Sequence, residues 1–249
     1  MGKVGSSSVY EALKNLRLDV PVYHCHFLNY LDEMEELIVR TRPSPRESLE
    51  QVSKARALKQ QLDAAPEGSR WHIISLVRLP VGRNVSAFFE NLNEYFPDAE
   101  ERFDRGELTL DEIVNTFLSQ YDHDAPRHWF DSQLEPVFGI DVYAEPFPRE
   151  RGYHVYEGGK ARLLVIRMED LERVGSRAVQ EFLGIPMIHL ESANQSEEKS
   201  YSEIYRVFLD TVELPASYYD EMHSLKYSRH FYTPVELNDR DVLRGASAR

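Results

Sequence analysis

The residues able to do chemistry cluster in a few short stretches. The chain opens Met1-Gly2-Lys3-Val4-Gly5-Ser6-Ser7-Ser8-Val9 and runs directly into a segment of helical periodicity. Glycine allows a tight backbone turn, and the start of the following helix offers unpaired N–H groups with positive dipole character. Ser6, Ser7 and Ser8 add hydroxyl donors, and Lys3 adds a point charge. In the nucleotide triphosphatase loop the lysine stands directly before Ser/Thr, whose hydroxyl meets Mg²⁺. Here Lys3 leads the loop, an order that suits a dianion held without a metal. A serine-rich helix start would give the same string, so the loop needs a partner elsewhere in the chain.

That partner is a second stretch. Arg78 follows the apolar run Ile73–Val77, and Ser86 comes eight residues later, on the helix that follows. An arginine forks onto a phosphate with two hydrogen bonds, and a helix-borne serine hydroxyl reaches a third oxygen. A surface ion pair is the ordinary alternative for Arg78. Taken together, GKVGSSSV (2–9) and VRLPVGRNVSAFF (77–89) resemble the two cofactor motifs of sulfotransferases that use 3′-phosphoadenosine-5′-phosphosulfate (PAPS). The resemblance implies that Lys3, Gly5, Ser6, Ser7 and Ser8 hold the 5′-phosphosulfate, and that Arg78 and Ser86 hold the 3′-phosphate.

Three more stretches, WFDSQLEPVFGIDVYAEPF (129–147), LLVIRMEDL (163–171) and KYSRHFYTPVE (226–236), are similar to bacterial proteins assigned to capsular polysaccharide synthesis, a sulfotransferase-like branch. The resemblance thus spans nearly the whole chain. It implies a P-loop-like three-layer α/β fold, with a central parallel sheet and helices on both faces, in one domain covering 1–249. It also implies transfer of a sulfuryl group from PAPS to a hydroxyl, the acceptor being a carbohydrate or polysaccharide precursor, with PAP as product and no metal. One departure stands out. In that superfamily a buried strand precedes the phosphate loop, whereas here the loop begins at Met1, so the expectation is an upstream start or a sheet without that strand.

Transfer to an alcohol needs a base for the hydroxyl proton and cations for the charge developing on the leaving phosphate. Lys3 is placed for the second task. His24 and His26, two apart on an expected strand, share a face, and several sulfotransferase branches put a catalytic His or Glu at the end of the strand after the first helix. His26, nearer the strand end, resembles the base, with His24 as fallback and Glu33 or Glu35 as outside candidates. A strand histidine bonded to a neighbour is the structural alternative. Arg229 and His230, beside Phe231 and Tyr232, offer a cation and aromatic faces suited to adenine or a sugar, and Lys199 is a further cation for cofactor or acceptor; surface charge over core aromatics is the ordinary alternative. Trp129 and Tyr143 read as core, Asp170 as a helix cap after a strand, and Cys25 as a small buried hydrophobe.

The elements that must position these groups follow from periodicity. Helical patterning covers Val9–Leu18, Asp32–Arg40, Ser48–Leu62, Val85–Tyr95, Leu108–Ser119 with a Thr109/Glu112 capping box, Trp129–Phe138, Leu171–Leu183 and Lys199–Thr211. Strands are expected at Pro21–Leu28, Trp71–Val77 and Arg162–Arg167, the last two buried on both faces. Alternating elements of this kind predict a parallel sheet, whose ligands bind beyond the carboxyl ends of its strands. The stretch from Asp239 to Arg249 is expected to fray.

Composition sets the outer limits. The 249 residues carry 42 acidic against 29 basic side chains, a net charge of −13, which argues against a free nucleic-acid binder. A small basic pocket is still compatible with it, because charges act over about 8–10 Å. One cysteine, no apolar run long enough for a bilayer and no apolar leader point to a cytoplasmic chain. A nucleotide-dependent phosphotransferase and a non-catalytic PAPS- or phosphate-binding relic are the rival readings.

Overall fold

The computed structural model describes residues 1–185, 188–190 and 201–238. Three helices come first: α1 (Ser6–Asn15), α2 (Leu31–Thr41) and α3 (Arg46–Asp63). Strand β1 (Trp71–Val77) then leads into α4 (Pro80–Glu90). Short helices follow as α5 (Leu92–Tyr95), α6 (Ala99–Asp104), α7 (Leu110–Gln120), α8 (Ala125–Trp129) and α9 (Glu135–Phe138). A hairpin of β2 (Tyr153–Glu157) and β3 (Ala161–Arg167) precedes α10 (Ser176–Leu183). The described chain closes with α11 (Ser202–Thr211), α12 (Ala216–Ser224), α13 (Lys226–Phe231) and α14 (Pro234–Asn238).

The sheet has as many strands as the sequence suggests but not the same set: Tyr153–Glu157, which was not expected, is a strand and Pro21–Leu28 is not. Among the described residues it has three strands in the order β1-β3-β2. β1 and β3 run parallel, with Trp71 beside Ala161 and Val77 beside Arg167. β2 pairs with β3 antiparallel. The expected central parallel sheet is therefore a mixed α/β arrangement with one parallel pair. Both expected strands form, but only β3 is buried as expected: β1 is an edge strand in which Ser75, Leu76 and Val77 are buried while His72 is exposed. In β3, Leu163, Leu164, Val165 and Ile166 are all fully buried. Successive residues point to opposite faces, so both sheet faces are covered at this strand.

The third expected strand does not form: Pro21–Leu28 pairs with no other strand. Its polar groups are taken up by side chains and local contacts. The Leu28 and Asn29 N–H groups donate to Gln133 Oε1 at 2.7 and 2.9 Å, and the His26 carbonyl accepts from Trp129 Nε1 at 2.7 Å. Cys25, half-buried rather than buried, turns its thiol onto the Phe27 carbonyl at 2.8 Å. Gln133 can make this clamp because Phe130–Leu134 is a π-turn between α8 and α9, where one continuous helix was expected. Such bulges concentrate at functional places. A second π-turn, Leu171–Gly175, opens the helix expected from Leu171.

Elsewhere the local rules hold. The Thr109 side chain accepts from Glu112 N, and the Glu112 carboxylate accepts from Thr109 N at 2.8 Å, closing the expected capping box. Helix α4 starts at Pro80 rather than Val85, since proline at the first helical position loses no hydrogen bond and presets φ. Val9 and Leu13 are buried on one face of α1 and join a core cluster with Leu76, Val77, Val85, Phe88 and Ile166. The stretches 191–201 and 239–249, with Lys199 and the expected frayed tail, lie outside the described residues except for Tyr201. No helix among the described residues is long and apolar enough to cross a membrane.

Candidate functional site

Because β1 and β3 are parallel and in register, their carboxyl ends sit level, and the chain leaves both at one edge as Arg78 and as Met168-Glu169-Asp170. The opening loop lies across this edge. A Cβ on Gly5 would fall 3.5 Å from both Leu76 Cδ2 and Met168 Cγ. Gly5 itself has φ 84°, a left-handed conformation that caps α1 at low cost only for glycine. Helix α1 has no side-chain N-cap bond and no acid in its first turn, so no such group offsets the positive end of its dipole.

A cavity of about 600 Å³ opens here, within the range typical of small-molecule sites, about 300–1,000 Å³. Its lining includes Lys3, Gly5, Ser6, Ser7, Ser8, His26, Arg78 and Ser86. Eight of the expected site residues, from three separate segments, thus face one space. Arg78 Nη1 donates to the Lys3 carbonyl at 3.3 Å, tying strand end to loop. Lys3, itself at φ 61°, pairs its ammonium with Glu90 Oε2 at 3.1 Å.

Four of the described candidate residues lie apart from the lining. His24 sits behind Ser6, with Nε2 2.9 Å from the Ser6 hydroxyl and its ring stacked on Tyr10. Arg229 is exposed on α13, and its carbonyl accepts from Arg149. Glu33 is exposed, and Glu35 pairs with Arg56 at 2.8 Å. Asp170 is an ion-pair centre rather than a plain cap, bonded to Arg167 at 2.5 Å and Arg173 at 2.6 Å. Among the described residues no three His, Cys, Asp or Glu side chains converge as a metal site.

The ring of His26 packs edge-on against His24, 4.7 Å between centroids. Its Nδ1 is enclosed without a hydrogen-bond partner among the described residues. Burial, reinforced by the amino terminus and His24 and then by Arg83 and Lys3, lowers its pKa to about 3. The imidazole is therefore neutral at physiological pH, with a ring nitrogen lone pair but low basicity. Burial lowers His24 as well.

Several supporting residues are not singled out for the site by the sequence. The Tyr227 hydroxyl accepts from Arg78 N–H at 2.9 Å and donates to the Arg78 carbonyl at 2.8 Å, holding that residue's backbone on both sides. Next to it, the buried Glu169 carboxylate accepts from Leu79 N–H at 2.8 Å and from the Tyr232 hydroxyl at 3.0 Å. Burial pushes this carboxyl up. Trp129 borders the cavity as well as bracing His26. Arg83, 7% exposed, also lines the cavity. Its position three residues before Ser86, on the same helical face, was the one available clue.

The chain is a mixed α/β protein in which a helix N-terminus, serine hydroxyls and arginines line one cavity beyond the carboxyl end of a parallel strand pair, the place where ligands of such sheets bind. Residues 108–233, just over half of the chain, match the family model described as "Putative capsular polysaccharide synthesis protein". The chain belongs to that family. The match takes in the π-turn clamp, β3, Glu169 and Tyr227, while the loop, His26, Arg78 and Ser86 lie before it. No curated protein and no solved structure matches the chain.

Proposed function

We propose that this protein is a sulfotransferase that moves the sulfuryl group of PAPS to a hydroxyl of a carbohydrate acceptor. The observation that carries this reading is the convergence of the Lys3–Ser8 loop, Arg78, Ser86 and His26 on one cavity. The loop and the start of α1 receive the 5′-phosphosulfate through N–H groups and the Ser6, Ser7 and Ser8 hydroxyls. Arg78 and Ser86 receive the 3′-phosphate. Acidic and amide groups elsewhere on the lining, Asp122, Asp124 and Gln133, suit the hydroxyls of a sugar.

The acceptor oxygen forms a bond to sulfur while the bond from sulfur to the 5′-phosphate oxygen breaks. That electron pair stays with the departing PAP, and the acceptor proton passes to the His26 ring. Lys3 offsets charge building on the leaving phosphate, which requires its ammonium to exchange Glu90 for the nucleotide. Membership of the capsular polysaccharide family supports a carbohydrate acceptor.

The test is thermal unfolding with PAP in the presence of EDTA. A ligand specific to the native state adds RT ln(1 + [L]/Kd), about 2.7 kcal/mol at a hundredfold excess over Kd, so the midpoint should rise. Label from ³⁵S-PAPS should then appear in a polysaccharide fraction. A shift with Mg-ATP and none with PAP would overturn the reading in favour of a phosphotransferase. A shift with PAP but no transfer to any acceptor would leave a binding protein without the activity.

A further inference from the structure

Buried cations in proteins are paired with carboxylates or held by ligands, and of the two arginines fully buried among the described residues, Arg167 and Arg83, only Arg167 follows that rule. Arg42 is paired with Glu94, and Arg167 with Asp170 and Glu236. Arg83 is 7% exposed, and all its partners among the described residues are neutral oxygens. Nε donates to the Gly2 carbonyl at 3.2 Å, and Nη1 donates to Asn84 Oδ1 and the Tyr121 hydroxyl at 2.9 Å each. Burial pushes the Tyr121 phenol up, so it does not ionise to balance the charge. Nη2 has no partner among the described residues. Three fixed bonds therefore aim a rigid, unneutralised guanidinium along a wall of the cavity.

The place of this charge selects its ligand. Arg83 holds the loop at Gly2, beside His26: a Cβ on Gly2 would lie 3.8 Å from the His26 ring. Arg78 reaches the loop one residue later, at the Lys3 carbonyl. We propose that Arg83 is a ligand of the sulfuryl group itself, distinct from the arginine assigned to the 3′-phosphate. This assignment rests on the reading of the cavity as a PAPS site. The acceptor hydroxyl approaches a group that already carries negative charge. A cation fixed on the sulfuryl oxygens lowers that repulsion while sulfur passes from the phosphate oxygen to the acceptor oxygen and the proton leaves to His26.

Calorimetric titration of the full chain with PAPS, PAP and adenosine 5′-phosphosulfate separates the roles. Adenosine 5′-phosphosulfate carries the sulfuryl without the 3′-phosphate, and PAP carries the reverse. Arg83→Gln should weaken PAPS and adenosine 5′-phosphosulfate by roughly ten- to hundredfold and PAP by no more than about threefold, the scale of a lost charge-assisted contact. Arg78→Ala should weaken PAPS and PAP and spare adenosine 5′-phosphosulfate. Arg83→Lys, which keeps the charge but not the fork, should fall between wild type and Arg83→Gln, and it carries the test if the glutamine variant fails to fold. Equal losses for all three nucleotides, or no loss, would overturn the assignment and leave Arg83 as a brace for the loop, with the PAPS reading standing because wild type still binds PAP. Wild type that binds none of the three would overturn that reading and the assignment with it.

Discussion

His26 illustrates how a single side chain acquires chemistry from its surroundings. A histidine in water is half protonated near pH 6.5. Burial among positive neighbours takes this one to about 3, where it is neutral but a weak base. A bound donor changes that balance, since an anion near the ring favours the protonated form and raises its pKa. Turnover should therefore fall as pH drops through an apparent value above 3, which a kcat profile in saturating PAPS would read. His26→Ala should reduce kcat by about 10²–10⁴-fold and leave PAP affinity within a few-fold of wild type. Loss on His24→Ala alone, with His26→Ala active, would transfer the role to the histidine behind Ser6.

At the scale of elements, the site depends on what holds the end of β1. Arg78 can aim its guanidinium only if its backbone is fixed, and Tyr227, on α13, fixes it through both N–H and C=O. Tyr227→Phe leaves two backbone groups without that partner, at a cost of about 1–3 kcal/mol. Urea denaturation should show a loss of that size. PAP should bind more weakly, while adenosine 5′-phosphosulfate, which lacks the 3′-phosphate, should change little. Unchanged PAP affinity beside the stability loss would mean that Arg78 does not meet the 3′-phosphate. KYSRHFYTPVE was recognisable in the sequence as a family stretch, yet its task was not, because a tyrosine's partner 149 residues away leaves no trace in local spacing. The failed strand at Pro21–Leu28 has the same origin: its apolar composition suits a strand, but Gln133 and Trp129 satisfy its backbone instead.

For the whole molecule, enclosed histidines set the response to acid. His26 is lowered to about 3 and His230 to about 4, chiefly by burial, and burial lowers His24 and His123 as well. Their folded pKa values lie below the unfolded value of about 6.5. Above that pH both states are neutral and nothing is lost. Below it the unfolded chain binds protons that the native chain refuses, so stability falls as pH drops from about 6.5 towards 4. The urea midpoint should decline as pH falls below 6.5, and His230→Gln should shallow the decline. A midpoint unchanged down to pH 4.5 would contradict the burial of these rings.

The sequence by itself determined what local rules govern: the capping box at Thr109, the apolar strands at Trp71 and Arg162, and the glycine-serine loop that starts α1. It also marked Lys3, Ser6, Ser7, Ser8, Arg78, Ser86 and His26, because their residue types and spacing carry meaning without coordinates. Tertiary structure decided that these groups face one cavity while His24 and Arg229 do not line it. It also decided that the parallel sheet is a single pair with an antiparallel edge, and that Arg83 lies buried with no acid beside it. These outcomes depend on which distant segments meet. Partnership of that kind is a property of the packed chain, set by burial and by the demand that every enclosed polar group find a partner, and periodicity along the sequence does not encode it.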